Sequence, residues 1–538
     1  MADQYDYIII GAGSAGCVLA NRLSEDPTKR VLLLEAGGSD KTFWVTLPVG
    51  FTKLMTDPVY NWGFETEPDA SVEGRRIPIP RGKALGGSSS INGMIWVRGQ
   101  PLDFDTWSQM GNRGWSYDAV LPFFKKIEHF DRPAGQFDDS RGTGGPINVV
   151  DTYVRNELAD AFIDAGVALG HPRNPDYNNG TQDGFGYYQC SMRNGRRWSA
   201  ANAYLDPARS RQNLHIVTHA HAQRVLFEGR RAVGVAYDVK RQPMEARGGE
   251  IIVSAGGVQS PQVLELSGIG QPTLLGSLGI DLVHPLPGVG ENYRDHIAAR
   301  MNWRVTKAVS FNERTRGVRL ALEALRYAAT RRGLLTSPAA LAHGFVRTRE
   351  ELETPDVQLF FMPVSYSDAS KRAEMDREPG MTVTAYQLRP ESKGSIHARS
   401  PNPLDPPVIK PNFLTDPEDC RSLVGGMRIS RQIIANAAMD PYRAFEMSPG
   451  EEVQSDEDLL AFCRRTSQTA YHPIGTCKMG PAHDAMAVVD DRLRVHGVER
   501  LRVVDASIMP TVTSGNTNAP AIMIGEKGAD MIRQDAKA

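Results

Sequence analysis

Tyr7-Ile8-Ile9-Ile10-Gly11-Ala12-Gly13-Ser14-Ala15-Gly16 is the stretch that decides the fold. Four apolar residues read as a buried strand, and a glycine-rich turn follows without a break. Cys17 to Leu23 then has helical spacing, and Arg30–Leu34 (RVLLL) reads as a second strand closed by Glu35. Both apolar runs are continuous rather than alternating, which marks strands covered on both faces in a parallel βαβ unit. Glycine at 11 permits the tight turn, at 13 it lets backbone approach a pyrophosphate, and at 16 it lets helix and strand pack closely. The helix start then offers free N–H groups and a positive dipole to phosphates. Glu35 accepts hydrogen bonds from an adenosine ribose and repels a 2′-phosphate. NADP is disfavoured on that ground, while NAD and FAD both remain open.

A second glycine-rich stretch runs Arg81-Gly82-Lys83-Ala84-Leu85-Gly86-Gly87-Ser88-Ser89-Ser90-Ile91-Asn92-Gly93. Its backbone can lie against a ligand, and its serines supply hydroxyls. One nucleotide needs one such loop, so a second points to a longer cofactor such as FAD. The apolar Met94-Ile95-Trp96-Val97 that follows favours burial over a mobile surface loop.

The chain has 538 residues, enough for three to four domain-sized units or two large interleaved ones. A hydrophobic content of 41% and a net charge of −2 exclude disorder as the main state and leave no basic field for nucleic acid. The five cysteines, at 17, 190, 420, 463 and 477, form no CxxC and fit a reducing compartment better than a disulfide framework. His215, His219 and His221 alternate with apolar residues and have no evident Cys or carboxylate partner, so a strand is preferred to a metal site. The N-terminal MADQYDY lacks the basic region of a signal peptide, and no run of apolar residues is long enough to span a bilayer. The expectation from these features is a cytoplasmic protein, with room for peripheral contact at the inner membrane.

Residues 213–239 read as three short strands with a turn at Glu228-Gly229, and 250–256 as a buried strand leading to a turn. Alternation in 355–400, as in Met381-Thr382-Val383-Thr384-Ala385-Tyr386, predicts a half-exposed antiparallel sheet. Residues 317–335 read as an amphipathic helix, apolar on one side and basic on the other. With Glu323 in it, an ordinary packed surface helix is the preferred reading over a membrane contact or a pocket cover. Near the C-terminus, Leu501–Val504 reads as a buried strand that turns at Asp505-Ala506. Ser514-Gly515-Asn516-Thr517-Asn518-Ala519-Pro520 leads into a helix over Ala521–Ile532, with Asn518 as its expected N-cap.

Taken together, GAGSAG at 11–16, LEAG at 34–37, RGKALGGSSSIN at 81–92, SPQVLELSGIG at 260–270, GVGENYRDH at 288–296, HPIGTCKMG at 472–480 and VVDASIMPTVTSGNTNAP at 503–520 resemble the glucose–methanol–choline (GMC) family of FAD-dependent oxidoreductases. The resemblance runs nearly end to end and is closest to bacterial choline-dehydrogenase-like and aliphatic or polyethylene-glycol alcohol dehydrogenases. It implies an α/β, Rossmann-type FAD-binding domain, discontinuous over 1–150, 205–300 and 465–538. It further implies an α+β substrate domain on an antiparallel sheet, from 151–204 and 301–464. The implied catalytic pair is His472 and Asn516, the latter at a place where some members carry His. The implied FAD contacts are Gly11, Gly13, Ser14, Ala15, Gly16, Glu35, Ala36, Arg81, Leu85, Gly86, Gly87, Ser88, Ile91, Asn92, Gly93, Ala222, Ala255, Asp505, Ala506, Asn516 and Thr517. Some members attach FAD covalently through a histidine where this chain has Ile91, so non-covalent FAD is expected.

The expected reaction is oxidation of a primary alcohol: a hydride leaves to flavin N5 and the hydroxyl proton to His472, whose pKa range suits a general base. Asn516 hydrogen-bonds the substrate oxygen without competing as a base. A helix N-terminus beside the cofactor stabilises negative charge there by ~0.3–1 kcal/mol. The expected electron acceptor is a quinone or oxygen, and an alcohol oxidase acting on aryl or furan alcohols is the nearest alternative. A hydroxynitrile lyase and a fatty-acid photoenzyme share the fold, but an intact His472–Asn516 pair favours alcohol oxidation.

Overall fold

The computed structural model describes residues 4–133, 135–366 and 375–537; residues 1–3 of the N-terminal reading lie outside the described residues. Gln4–Ile10 and Val31–Glu35 pair in parallel, with Ile8 opposite Leu32 and Ile10 opposite Leu34. Leu214–Thr218 continues the sheet beyond Val31–Glu35. On the other side, Gln242–Val253 flanks Gln4–Ile10, and Leu501–Val503 lies beyond it, again parallel. Ile8, Ile9, Leu33 and Ile251–Val253 are fully buried, as continuous apolar strands require. The helix Ser14–Leu23 leaves the glycine turn and packs against the C-terminal helix Asn518–Asp535. Small residues allow that approach: a Cβ on Gly525 would lie 3.0 Å from the Ala15 backbone.

Residues 213–239 form three strands, Leu214–Thr218, Ala220–Glu228 and Arg231–Val239. The strand expected over 250–256 begins earlier, at Gln242, because its first half pairs antiparallel with Arg231–Val239.

The second sheet is antiparallel. Its order is Arg443–Ser448, Ile297–Val305, Gly380–Gln387, Val357–Met362, Ala342–Val346 and Gly184–Tyr187, with Gln468–Thr469 also on Ile297–Ala298. The expectation of a half-exposed sheet is not met, since every residue of Gly380–Gln387 is buried. Helix Pro417–Ala435 covers one face, where Gly426 sits against Val357 and Ala385. The other face supplies Ala298, Phe360, Thr384 and Tyr386 to a cavity shared with the first sheet. Thr and Gln on this sheet therefore face an interior cavity or structural partners, and alternation alone does not distinguish that from solvent.

Two further expectations are corrected. Thr517, not Asn518, is the N-cap of the C-terminal helix, and it makes no side-chain cap. Asn518 Oδ1 instead accepts a 2.7 Å hydrogen bond from Ser14 Oγ, tying the starts of the two helices together. The helix in 317–335 spans Gly317–Thr330 and ends where Arg331 turns left-handed at φ 55°. It does not pack by its apolar side: Val318, Leu322 and Leu325 are exposed and Tyr327 is buried.

Candidate active site

The glycine turn and the second glycine loop meet at one cavity, whose empty space including its mouth is about 1880 Å³. Gly11 takes φ 99°, and a Cβ there would lie 2.5 Å from Ser254 O, so no other residue fits. Gly13 faces open space: a Cβ there would meet nothing nearer than 4.0 Å, which leaves bare backbone toward the cavity. Glu35 is buried at the same end. Its Oε2 accepts from Ala12 N at 3.0 Å and its Oε1 from Gly37 N at 2.8 Å. Burial raises its pKa to about 7, against the pull of those two N–H groups.

Of the residues implied by the resemblance, Gly11, Gly13, Ser14, Ala15, Glu35, Ala36, Arg81, Gly87, Ser88, Ile91, Asn92, Gly93, Ala222, Ala255, Asp505, Ala506, His472, Asn516 and Thr517 line this cavity. Gly16, Leu85 and Gly86 do not; they stand behind the wall. A Cβ on Gly16 would lie 1.9 Å from Gly11 O, so this glycine serves the packing of helix on strand. Gly86 N donates to Ala12 O at 2.8 Å and locks one glycine loop onto the other. The Leu85 carbonyl accepts from Ser90 Oγ. Asp505 acts on neighbouring backbone: its carboxylate accepts from Gly256 N at 2.8 Å, Ser260 Oγ at 2.5 Å and Ser507 N at 2.8 Å.

At the opposite end the side chains form a chain of hydrogen bonds. His296 Nε2 lies 2.9 Å from the Leu388 carbonyl, which can only accept. His296 Nε2 therefore carries the proton. His296 Nδ1, 2.9 Å from His472 Nδ1, is left as the acceptor, so His472 donates from Nδ1. His472 Nε2 is thereby left unprotonated, and Asn516 Nδ2 donates to its lone pair at 3.1 Å. Burial, then His296, then the charge of Arg81 hold the His472 pKa well below the ordinary imidazole value. Burial brings His296 to about 4 despite the Leu388 bond. Both rings are thus neutral at neutral pH.

The backbone around His472 is equally constrained. His472 N donates to Asp295 Oδ1 at 2.7 Å, and Tyr293 OH donates to Oδ2 at 3.3 Å. Burial raises the Asp295 pKa to about 7, opposed by these bonds and by Arg81. Tyr471, just before the histidine, takes φ 67°, which is unusual for a bulky residue. Asn516 Oδ1 is buried without a partner among the described residues, so the site presents one unmet acceptor beside the His472 Nε2 lone pair. The remaining wall here is apolar and aromatic, with Met94, Ile95, Ala298, Phe360 and Tyr386.

His296 and Asp295 are the two residues the sequence reading leaves without a role. Both stand in the quoted GVGENYRDH stretch, and their only signal is an Asp-His pair just before a buried apolar strand.

Bare backbone at Gly13, two helix starts, the buried Glu35 carboxylate and the neutral His472 imidazole on one cavity are the parts of a dinucleotide-cofactor oxidoreductase. The match to known proteins is specific. The N-terminal GMC oxidoreductase family profile matches residues 5–298 and the C-terminal one residues 390–525. The chain belongs to the GMC oxidoreductases and is an FAD-dependent enzyme. It is 43% identical to the alcohol dehydrogenase [acceptor] of Pseudomonas putida, over 98% of this chain and 96% of that protein. It is 41% identical to the oxygen-dependent choline dehydrogenase of Vibrio vulnificus, over 99% and 95%. Pyridoxine 4-oxidase from Mesorbium loti superposes with a TM-score of 0.88 at 30% identity, over 98% of this chain and 99% of that one. Among the described residues no helix is long and apolar enough to cross a membrane.

Proposed function

We propose that the protein oxidises an uncharged primary alcohol to the aldehyde, with His472 as proton acceptor and Asn516 as the donor that orients the alcohol oxygen. The observation that carries this reading is the Leu388–His296–His472 series, which leaves the His472 Nε2 lone pair unprotonated beside Asn516. FAD, when bound, supplies the acceptor for the α-carbon hydride, and a quinone-type acceptor or oxygen then takes the electrons. The chain's own residues bind and orient. Gly11, Gly13, Ser14, Ala15 and Glu35 hold the adenosine and pyrophosphate part. Arg81, Ser88, Ile91, Asn92, Gly93, Ala506 and Thr517 hold the remainder, close to the start of the C-terminal helix. In this reading 1–150, 205–300 and 465–538 form the FAD-binding part, and 151–204 with 301–464 form the part that covers the substrate.

The alcohol hydroxyl replaces the Asn516–His472 bond. Its proton goes to Nε2, and Asn516 Nδ2 donates to the oxygen. The α-carbon and its substituent lie against Ile95, Phe360 and Tyr386. The walls set the substrate class. Among the described residues the only acidic ones lining the cavity are Glu35 and Asp505, both already bonded to backbone N–H groups, and Arg81 adds positive charge. A quaternary ammonium entering here loses its hydration without gaining a counter-charge. Aromatic faces return only ~0.5–2 kcal/mol of that loss.

The test is anaerobic stopped-flow mixing of the FAD-loaded enzyme with 1-octanol, benzyl alcohol and choline. Flavin bleaching by the uncharged alcohols is expected, with choline at least about tenfold poorer in kcat/KM. Choline as the best substrate overturns the substrate class. Absence of bleaching with every alcohol overturns the oxidation itself.

A further inference from the structure

The helix Gly317–Thr330 is turned the opposite way from an ordinary surface helix. Its apolar side, Val318, Ala321, Leu322 and Leu325, faces outward, with Val318 76%, Leu322 59% and Leu325 66% exposed. Its inward side is polar and firmly held. Tyr327 is buried, and its hydroxyl donates to Gly195 O at 3.1 Å. Glu323 pairs with Arg314 and accepts from Leu334 N at 3.1 Å. The helix is therefore fixed to the protein while its apolar stripe has no partner among the described residues.

We infer that this stripe docks the protein onto an anionic lipid bilayer. Exposed Arg316, Arg319, Arg326 and Arg332 surround the stripe, and Glu323, the helix's one acid, is turned inward. That combination, apolar residues outward with arginines flanking them, is the signature of a helix lying in a membrane interface. A second copy of the chain fits poorly, because a two-fold contact through the stripe brings the same arginines together. A second apolar element stands nearby. Phe43 and Trp44 are exposed on the short helix Phe43–Thr46, with Lys53 Nζ 4.3 Å from the Trp44 ring centre. One hairpin holds both elements: Gly195 O bonds Tyr327, and Arg197 Nε donates to Val45 O at 3.0 Å. The segments that follow each of them lead to the cavity. The turn Leu334–Thr336 packs on Pro48–Gly50, and Phe51 and Ala339 line the cavity wall. A protein docked this way brings the surroundings of its cavity to a lipid phase, whatever reaction the cavity performs; the inference does not rest on the proposed chemistry.

The test is co-sedimentation of the FAD-loaded enzyme with sucrose-filled vesicles of phosphatidylcholine, with and without phosphatidylglycerol. Sedimentation with the phosphatidylglycerol vesicles, weakened by salt, is expected. Leu322→Glu with Leu325→Glu should weaken it about tenfold or more, and Arg319→Gln with Arg326→Gln should abolish the preference for the anionic vesicles. Flavin content and bleaching by a water-soluble alcohol should be unchanged in all of them. Wild type left in the supernatant, or sedimenting no less after the double glutamate change, overturns the inference. So does a wild-type dimer in light scattering that the glutamate variant converts to a monomer.

Discussion

The Nδ1 atoms of His296 and His472 stand 2.9 Å apart, and only one proton lies between them. Which ring owns it is fixed by the Leu388 carbonyl on the far side of His296. His296 therefore acts through His472, as a positioning residue. His296→Phe removes the acceptor for the His472 Nδ1 proton and frees the ring to take the other tautomer. Its flavin-reduction rate should fall about 10–100-fold. The acid limb of the pH profile should also move upward, because His296 helps hold the His472 pKa down. His296→Gln keeps a carbonyl oxygen for that proton and should recover most of the rate. Equal losses in both variants, with an unmoved acid limb, would leave His296 a packing residue only.

His472 and Asn516 should separate by pH. His472→Ala removes the base and should lose ~10²–10⁴ in the flavin-reduction rate, with partial recovery at high pH as alkoxide forms. Asn516→Ala removes an orienting donor and should lose a smaller factor without that recovery. Asn516→His should retain activity, since a ring nitrogen can take the donor's place. Stopped-flow bleaching from pH 6 to 10 at matched FAD content measures this. Identical profiles for the two alanine variants would end the division of labour.

The wild-type protein should release its FAD into the supernatant on acid precipitation. Ile91 lines the cavity in the loop where some relatives place a histidyl link, and its side chain offers no atom for such a bond. Flavin that stays with the precipitate would show attachment at another residue.

The two ends of this site were not equally readable. Gly11–Gly16 and Glu35 are neighbours in one βαβ unit, so local spacing carries their relationship. His296 and His472 are joined across 176 positions, and spacing carries nothing of that contact. The antiparallel strand Gly380–Gln387 alternates as a solvent-facing strand does, but helix Pro417–Ala435 and the cavity occupy its two sides. For Gly317–Thr330, periodicity reveals an apolar stripe and not its direction. Direction follows from Tyr327 and Glu323, whose partners Gly195 and Leu334 lie outside the helix. Asn518 has the composition of a cap, yet Ser14 from the distant first helix claims its oxygen.

Glu35→Ala should weaken FAD retention while leaving chemistry per bound flavin nearly unchanged. Hydrogen bonds to a charged group are worth ~1.5–3 kcal/mol, about 10–150-fold in affinity. FAD titration of the deflavinated protein reads the first effect, and bleaching normalised to bound flavin reads the second. Collapse of the normalised rate would place Glu35 in contact with the reacting end.

Asp295→Asn makes a prediction whose sign follows from linkage. Burial raises the Asp295 pKa from its ordinary 3.8 to about 7, so the folded protein holds a proton there that the unfolded chain has released. Between those values the unfolded state binds fewer protons, and this group makes stability fall as pH rises toward 7. Its contribution is level above that. Asparagine keeps an oxygen for the His472 N–H and an amide toward Tyr293, and it has no charge to bury. The melting temperature of the variant relative to wild type should therefore improve from pH 4 to 7 and level off above pH 7. Bleaching should be nearly unchanged below pH 7, where the wild-type carboxyl is itself protonated. A difference in melting temperature that is flat with pH, or that falls, would mean that Asp295 is ionised in the folded protein throughout, with Arg81 as its counter-charge.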